Sequence, residues 1–332
     1  MKEFEIRPKE LFSKYLELSK LDISLFFSDH SNFVEIQCPG CKTSENPVSF
    51  VKHGFKYKKC KKCSSLYVSP RPTNEMISDF YRRSESSRFW AEHFYPETAE
   101  ARREMIFKPR AEVIKDILTK LSIPEPKSIV DVGAGYGIFL EEIGKYEYFD
   151  EVVAIEPNKD LAKCCRSKNL KVVEKDVEMV GSEELKASVI CSFEVFEHLH
   201  DPERFVMSMK RLLKPGGILL FTTLTISGFD LLVLGEHSKS ISPPHHINFL
   251  SVEGIRSLLK RCGLSEISIE TPGKLDLDIV KNTLTEMPNL EVSDFVKYLI
   301  YNRDLKAHED FQKFLSANNL SSHVRIIARY EI

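Results

Sequence analysis

The sequence predicts an α/β protein whose main part is a doubly wound, seven-stranded sheet with helical insertions. Three observations predict it. Short β-branched runs alternate with helical stretches from residue 109 onward, a glycine-rich turn follows the first of these runs, and two C-x-x-C pairs precede them all. The alternation is typical of parallel strands covered by helices on both faces. It excludes a helix bundle and a two-layer sandwich.

Length, composition and charge limit the classes of protein that this chain can belong to. It has 332 residues, 42% of them hydrophobic, and a formal net charge of −2. These values are typical of a folded protein of about two domains and give no global field that would attract nucleic acid or an anionic membrane. The apolar runs at 218–221 and 231–234 are too short to span a membrane. Residues 1–8 are too charged for a secretory signal, so we expect a cytoplasmic protein.

Four regions follow one another along the chain. We predict a helical segment over 1–34, a metal-held module over 35–68, a helical linker or lid over 69–110, and the α/β domain over 111–332. A helical stripe begins at residue 8, and the module has Gly, Lys and Cys in place of a periodic apolar pattern. Two prolines break the chain before Thr73, which can cap the next helix. The α/β domain carries a mainly helical insertion at about 275–320.

Periodicity places the elements of the α/β domain. The predicted strands cover residues 128–132, 151–155, 171–173, 188–192, 218–223, 265–269 and 324–330. The predicted helices cover residues 112–121, 138–145, 159–166, 202–213 and 252–262. Five strand–helix units followed by two final strands form the doubly wound arrangement.

A glycine loop stands between the first of these strands and its helix. Gly133, Gly135 and Gly137 occupy alternate positions, and a glycine-rich strand-to-helix turn lets the backbone approach a ligand closely. The next strand ends in Glu156, 19 residues after Gly137, where a carboxylate can accept both hydroxyls of a ribose. Together these residues indicate a cofactor that contains adenosine.

Two further residues refine this interpretation. Ile138 stands where a dinucleotide fingerprint needs a small side chain, which disfavours NAD. Asn158 can cap the helix that follows Glu156, so Glu156 is not needed for capping.

In these residues the chain resembles class I S-adenosylmethionine (SAM)-dependent methyltransferases, which have a Rossmann-like sheet. The loop has their spacing Asp-x-Gly-x-Gly-x-Gly, and further motifs follow in the family's order: Glu174-Lys-Asp-Val177, Phe193 to Pro202 with Glu-His-Leu-His-Asp-Pro, and Leu213-Lys-Pro-Gly-Gly217. The resemblance implies that SAM contacts Asp131, Gly133, Ala134, Gly135, Gly137, Glu156, Pro157, Asp176 and Val177. For Asp176, a solvated loop acid is the alternative.

Two cysteine pairs predict a zinc site. Cys38 and Cys41 form one C-x-x-C pair, Cys60 and Cys63 form the other, and 18 residues separate the pairs. Each pair brings two thiolates to one metal ion, whereas a redox C-x-x-C would be single and would precede a helix. We therefore expect a four-thiolate structural Zn²⁺ in a zinc-ribbon module. Seven lysines between residues 42 and 62 leave RNA binding open, although a solvated face that offsets the anionic metal centre explains them as well.

Methyl transfer to a hydroxyl or an acidic carbon requires a base. The candidates are Glu197, His198, His200, His245 and His246. His198 follows the fourth strand, at the edge of the sheet where ligands bind, and imidazole titrates near neutrality. We therefore prefer His198, with helix packing or capping as the alternative role. His245 and His246 are adjacent, so at most one of them is expected to face the site.

The order of the modules resembles zinc-containing methyltransferases of sugar and glycan biosynthesis. The early part is similar to nucleotide-sugar C-methyltransferases, in which a histidine after the fourth strand acts as base, and His198 matches it. The resemblance implies C- or O-methylation of a sugar or nucleotide-sugar. An RNA methyltransferase with a zinc-ribbon recognition module is the alternative, and a non-catalytic SAM-binding protein is a third. We expect no DNA or membrane partner, and the acceptor and oligomeric state stay open.

Overall fold

The computed structural model describes residues 2–331. The chain forms two compact units. The first, which we call the cysteine unit, comprises Met1–Ala99, Leu224–Ile255 and Glu270–Val324. The second, which we call the sheet unit, comprises Glu100–Thr223, Arg256–Ile269 and Arg325–Ile332. Across residues 2–331, no helix is both long and apolar enough to cross a membrane.

Strands and helices are numbered in chain order. The strands are β1 Val48–Lys52, β2 Phe55–Lys59, β3 Leu66–Val68, β4 Ser128–Val132, β5 Glu151–Ile155, β6 Lys171–Val173, β7 Ala187–Phe193, β8 Leu213–Leu224, β9 Asn248–Phe249, β10 Ser265–Glu270 and β11 His323–Arg329. The helices are α1 Glu3–Ile6, α2 Lys9–Phe26, α3 Asn74–Arg83, α4 Glu85–Phe89, α5 Tyr95–Arg102, α6 Lys108–Lys120, α7 Ile138–Gly144, α8 Lys159–Ser167, α9 Pro202–Leu212, α10 Phe229–Leu234, α11 Val252–Arg261, α12 Asp276–Glu286, α13 Asp294–Asn302 and α14 Leu305–Ala317. Short π-helical turns cover Trp90–Phe94 and Arg103–Phe107, and 3₁₀ turns cover Val177–Met179, Phe196–His198 and Gly235–His237.

The sheet unit contains the predicted seven-stranded sheet. Its strand order is β10-β11-β8-β7-β4-β5-β6, and the pairings β4–β5, β4–β7, β5–β6 and β7–β8 are parallel. Strands β4 and β7 are buried along almost their whole length, which is typical of central parallel strands covered by helices. Apolar side chains of the helices α6 and α7 fill the same core as those of the strands. The predicted fold class is confirmed.

Two predicted boundaries in this unit differ from the structure by more than one residue. The strand predicted at 218–223 already begins at Leu213, because Gly216 adopts a φ of 78° and its N–H donates to the carbonyl of Tyr330. The helix predicted at 112–121 begins at Lys108. Pro109 stands in its first turn, where the missing N–H of proline leaves no helical hydrogen bond unmade.

A second, four-stranded sheet lies in the cysteine unit. Its order is β1-β2-β3-β9, and each pairing is antiparallel. Strand β2 alternates, with Phe55 and Tyr57 buried and lysines between and after them. These side chains pack into an apolar core with residues of α2, α3 and α10. None of the four strands was predicted from the sequence.

Helices complete the cysteine unit. Helix α2 runs further than the predicted stripe over residues 8–18. Near its end the buried carboxylate of Asp22 accepts the N–H groups of Glu85 and Ser86 at 3.1 and 2.7 Å. The predicted cap is confirmed, since Thr73 Oγ1 accepts the N–H of Met76 at 3.3 Å. Helices α12 to α14 share a separate apolar core with α10. The division of the chain at 34, 68 and 110 stays a prediction.

Candidate functional site

The glycine loop connects β4 to α7 at the carboxyl end of the parallel sheet. Gly133, Gly135 and Gly137 have φ values of 76°, 56° and 71°, a left-handed conformation that favours glycine. A Cβ at Gly133 would lie 2.7 Å from Val195, and one at Gly137 would lie 2.7 Å from Leu170. A Cβ at Gly135 would meet no atom of the described chain within 4 Å. The loop therefore leaves space beside Gly135 in which a ligand can approach the backbone.

Glu156 lies at the end of β5 and faces this loop. It is only 5% exposed, and its two carboxylate oxygens accept the N–H groups of Gly135 at 2.8 Å and Asn158 at 2.9 Å. Burial raises the pKa of Glu156, and the charge of Asp176 acts in the same direction. Asn158 caps α8, because its Oδ1 accepts two helical N–H groups. Glu156 is thus held in a fixed orientation beside the glycine loop and does not serve as a cap.

The other predicted cofactor residues differ in burial. Asp131, near the end of β4, is buried, and burial raises its pKa to about 7. Ala134 is half-buried within the loop, and Pro157 is exposed just after Glu156. Asp176 is exposed after β6, and Val177 beside it is buried. The ends of three neighbouring strands therefore bring these residues to one edge of the sheet.

The turn Phe196–His198 follows β7 at the same edge. Glu197 is buried, and Thr223 Oγ1 donates to its Oε2 at 2.8 Å. Burial, together with the charge of Glu194, raises the pKa of Glu197 to about 8, so this carboxyl is mostly protonated at neutral pH. His198 is half-buried, and its backbone N–H donates to the carbonyl of Val195. An acid and an imidazole thus lie side by side after the fourth strand of the unit.

His245 and His246 belong to the cysteine unit, next to the turn that contains Pro243 and Pro244. The His245 ring is buried against Phe80 and the rings of two tyrosines, with centroid distances of 5.1–5.7 Å. Burial lowers the pKa of His245 to about 3, so its ring is neutral at physiological pH. His246 is half-buried, and its Nδ1 lies 2.6 Å from the carbonyl of Ser240. Nδ1 therefore carries the proton, and Nε2 has the lone pair.

The four predicted metal ligands come together in the cysteine unit. All four Sγ atoms lie within 4.8 Å of one another, with Cys38–Cys63 at 3.5 Å and Cys41–Cys60 at 3.4 Å. None of the eight cysteines forms a disulfide in the described chain. A tetrahedral zinc site with Zn–S bonds of about 2.3 Å places its sulfurs about 3.8 Å apart. The donor set and the spacing both fit Zn²⁺.

Comparison with known proteins agrees with the geometry of the sheet unit. A family model described as "Methyltransferase domain" matches residues 104–269, half of the chain. The chain belongs to this methyltransferase family. It is a SAM-dependent methyltransferase enzyme.

The chain is similar to three known proteins. "Ubiquinone biosynthesis O-methyltransferase" of Coxiella burnetii is 26% identical, and the alignment covers 48% of this chain and 75% of the relative. The protein of the same name from Xanthomonas axonopodis pv. citri is 30% identical over 42% of this chain and 64% of its own length. A solved structure of a "SAM dependent methyltransferase from Archaeoglobus fulgidus" is 19% identical, covers 68% of this chain and 94% of that chain, and has a TM-score of 0.45.

Two charged residues of this methyltransferase edge were missed from the sequence. Arg110 Nη2 lies 3.4 Å from Glu194 Oε1, and its guanidinium stacks on Phe193 with 4.6 Å to the ring centroid. The charge of Arg110 opposes the effect of burial on the pKa values of Asp131 and Glu197. Arg110 precedes the first predicted strand, where no motif marks it, whereas Glu194 lies inside a motif that the sequence had already singled out.

Proposed function

We propose that this methyltransferase binds SAM at the glycine loop, with Glu156 on the ribose and Asp176 and Val177 at the adenine. The space beside Gly135 and the fixed carboxylate of Glu156 support this assignment. Asp131, Ala134 and Pro157 adjoin the same strand ends and complete the proposed site. When bound, SAM supplies a methyl group on a positively charged sulfur. The residues of this chain orient the acceptor and exclude water from it.

Calorimetry with SAM tests the cofactor site. We expect Glu156→Ala to weaken binding by about 1–3 kcal/mol, because it leaves the N–H groups and the ribose without their acceptor. Glu183→Ala, which removes an exposed carboxylate elsewhere in the sheet unit, is the control. Equal affinities for the two variants would contradict the assignment.

We propose that the acceptor is a hydroxyl or an acidic carbon of a small molecule and that His198 removes its proton. The relatives named O-methyltransferases favour oxygen. Glu197 is a poor base below pH 8, because burial keeps it protonated. His245 is a poor base because its pKa is about 3. His246, with its Nε2 lone pair, is the second candidate.

Single-turnover methyl transfer measured against pH tests the base. A positioned base contributes about 10²–10⁴-fold, so His198→Asn is expected to slow transfer on that scale while the affinity for SAM is kept. His246→Asn is the matched variant. Normal rates in His198→Asn with slow transfer in His246→Asn would assign the base to His246 and overturn the role of His198.

The predicted sugar or nucleotide-sugar acceptor rests on the order of the modules. Incubation with methyl-tritiated SAM and three sets of acceptors tests it: phenols and catechols, nucleotide-sugars, and ribosomal RNA transcripts. Label in a small molecule would support the proposal, and label in a nucleotide-sugar would support the finer prediction. Label in RNA alone would overturn both and support the alternative.

We propose that Cys38, Cys41, Cys60 and Cys63 hold one structural Zn²⁺. Four thiolates with no open position favour a structural ion, and the sulfur spacing supports tetrahedral coordination. Elemental analysis of freshly prepared protein is expected to give one zinc per chain. Less than half an equivalent, with all eight thiols titratable, would contradict the site.

A further inference from the structure

The segment that carries the two histidines is part of the four-stranded sheet of the cysteine unit. Strand β9 begins two residues after His246 and pairs with β3, with Leu66 opposite Phe249 and Tyr67 opposite Asn248. Immediately before this pairing, the N–H of Val68 donates to the carbonyl of Ile247 at 3.0 Å. We call residues 245–251 the histidine segment. Its backbone is thus the fourth strand of a sheet whose other three strands lie among the cysteines.

Two side chains of the cysteine unit donate hydrogen bonds to the same segment. Tyr57 Oη donates to the carbonyl of His246 at 2.7 Å. The fully buried guanidinium of Arg71 donates to the side-chain oxygen of Asn248 at 3.0 Å and to the carbonyl of Ile247 at 3.4 Å. These contacts fix the chain from the carbonyl of His246 to Asn248.

The end of the histidine segment contacts the second C-x-x-C pair, Cys60 and Cys63. Ser251 donates its hydroxyl to the carbonyl of Cys63, and its N–H donates to Ser65 Oγ at 3.0 Å. Ser65 Oγ in turn lies 3.2 Å from the Sγ of Cys63. The same Ser251 hydroxyl accepts the N–H of Gly254 at 3.0 Å in the first turn of α11. Two serines therefore connect a metal ligand to the histidine segment and to the start of the next helix.

The chain is tightly packed around Gly254 and Gly40. A Cβ at Gly254 would lie 2.2 Å from Ser65 Oγ, and a Cβ at Gly40 would lie 2.8 Å from the Cα of Gly254. The first turn of α11 therefore packs closely against both C-x-x-C pairs. A helix N-terminus also favours negative charge nearby, which a four-thiolate zinc centre supplies.

We propose that the metal centre holds the histidine segment in place through Ser65 and Ser251, which are positioning residues for the acceptor end of the reaction. The role in the reaction rests on the proposed function. The mechanical link does not, because it is defined by contacts within the cysteine unit. Since coupling is reciprocal, loss of zinc is expected to loosen the segment, and loss of the serine link is expected to speed zinc release.

Hydrogen exchange on the full chain tests the link, with Ser251→Ala as the variant and Ser257→Ala, within α11, as the control. We expect Ser251→Ala to keep one zinc, to release it to a chelating dye roughly tenfold faster, and to lose roughly tenfold protection at residues 245–251. Ser251→Thr keeps the hydroxyl and is expected to restore both values. Zinc removal from the parent is expected to expose the same residues.

Two results would overturn the proposal. One is that, after zinc removal, the amides of residues 48–68 exchange faster while the amides of residues 245–251 keep their protection. The other is identical zinc release from Ser251→Ala and Ser257→Ala. Affinity for SAM is measured in the same samples and is expected to stay constant. If the parent protein does not bind SAM, the proposed function is contradicted. The conclusion from hydrogen exchange about the link would still hold.

Once the acceptor is known, steady-state kinetics separates positioning from general stability. Ser251→Ala is expected to raise the KM for the acceptor or to lower kcat, with the KM for SAM unchanged. Equal changes in both KM values would show a general structural effect and overturn the positioning role.

Discussion

In the sheet unit, strands β4 and β7 are enclosed by apolar side chains, whereas the cysteine unit encloses many polar and ionisable groups. Four cysteines and Tyr67 belong to one small cluster, and Arg71, Asp230 and Asp276 are buried elsewhere in the same unit. Apolar burial is insensitive to chelators and nearly insensitive to pH. A metal site responds to chelators and to pH, whereas buried carboxyls, which both units contain, respond to pH alone. The two units therefore differ in the conditions that should unfold them.

Removal of zinc is expected to have the largest effect and to act on the cysteine unit alone. Structural zinc sites contribute about 10 kcal/mol or more of binding free energy to folding. We expect Cys60→Ser to abolish cooperative unfolding of the cysteine unit while the far-ultraviolet signal of the sheet unit persists. Thermal melts with and without a chelator measure this. Cys164→Ser, which changes a half-buried thiol outside the metal set, is expected to melt like the parent.

Truncation of a side chain in the core of the sheet unit is expected to destabilise that unit and to leave the zinc site of the cysteine unit intact. Ile129 is fully buried on β4, and Ile129→Ala is expected to lower the free energy of unfolding by about 2–5 kcal/mol through lost burial and a residual cavity. Urea unfolding measures the change. Ile267→Ala, at a partly exposed position of β10, should have a much smaller effect. Zinc content should stay at one equivalent, and its loss would indicate that the units do not respond separately.

A buried pair of carboxyls makes the cysteine unit sensitive to pH. Asp230 is fully buried on α10, and burial together with the charge of Asp276 raises its pKa to about 8. Asp276 accepts hydrogen bonds from Ser321, from Gln312 and from the N–H of Ser322.

The folded state therefore holds a proton on Asp230 that the unfolded state has released above about pH 4. Because of this proton, stability should fall as the pH rises from about 4 to 8, with a contribution from Asp230 of at most about 1.4 kcal/mol per pH unit. Asp230→Asn should remove this contribution, leave those of Asp131 and Glu197, and be the more stable protein at pH 8. Urea unfolding at a series of pH values measures it, and an unchanged slope in the variant would contradict the assignment.

The smallest expected effect compares the same interaction in both units. Asn158 caps α8 in the sheet unit, and Thr73 caps α3 in the cysteine unit. Each substitution to alanine should lower the free energy of unfolding by about 1 kcal/mol, since each leaves helical N–H groups unpaired. If the units unfold separately, Asn158→Ala shifts only the transition that survives chelation, and Thr73→Ala shifts only the other. A shift of both transitions by either variant would contradict separate unfolding.

The elements of the sheet unit were predictable because each strand is a short apolar run whose neighbours are helices. Strands β4, β5 and β6 have the predicted bounds. Strand β8 was predicted too short, since its first residues, Leu213-Lys-Pro-Gly-Gly217, have the composition of a turn. Its extension depends on pairing with Tyr330, a contact more than 100 residues away that no local pattern reports.

The strands of the four-stranded sheet in the cysteine unit were not predicted, for two different reasons. Strand β2 alternates Phe55, Lys56, Tyr57 and Lys58, a period of two that was open to detection but stood among lysines and cysteines. Strand β9 has only two residues and owes its existence to its partner β3. Similarly, the roles of Arg110 and Ser251 depend on residues distant in sequence, whereas the glycine loop and the cysteine pairs carry their spacing locally.

The pairing of β3 with β9 also has a consequence for synthesis of the chain. The two strands are about 180 residues apart, so at about 5–20 residues per second β3 emerges from the ribosome roughly 10–40 s before its partner. During that interval β3 presents an open strand edge, and the two C-x-x-C pairs lack the turn of α11 that packs against them. A nascent chain stopped before residue 248 would therefore carry an unfinished module that is prone to pairing with other chains.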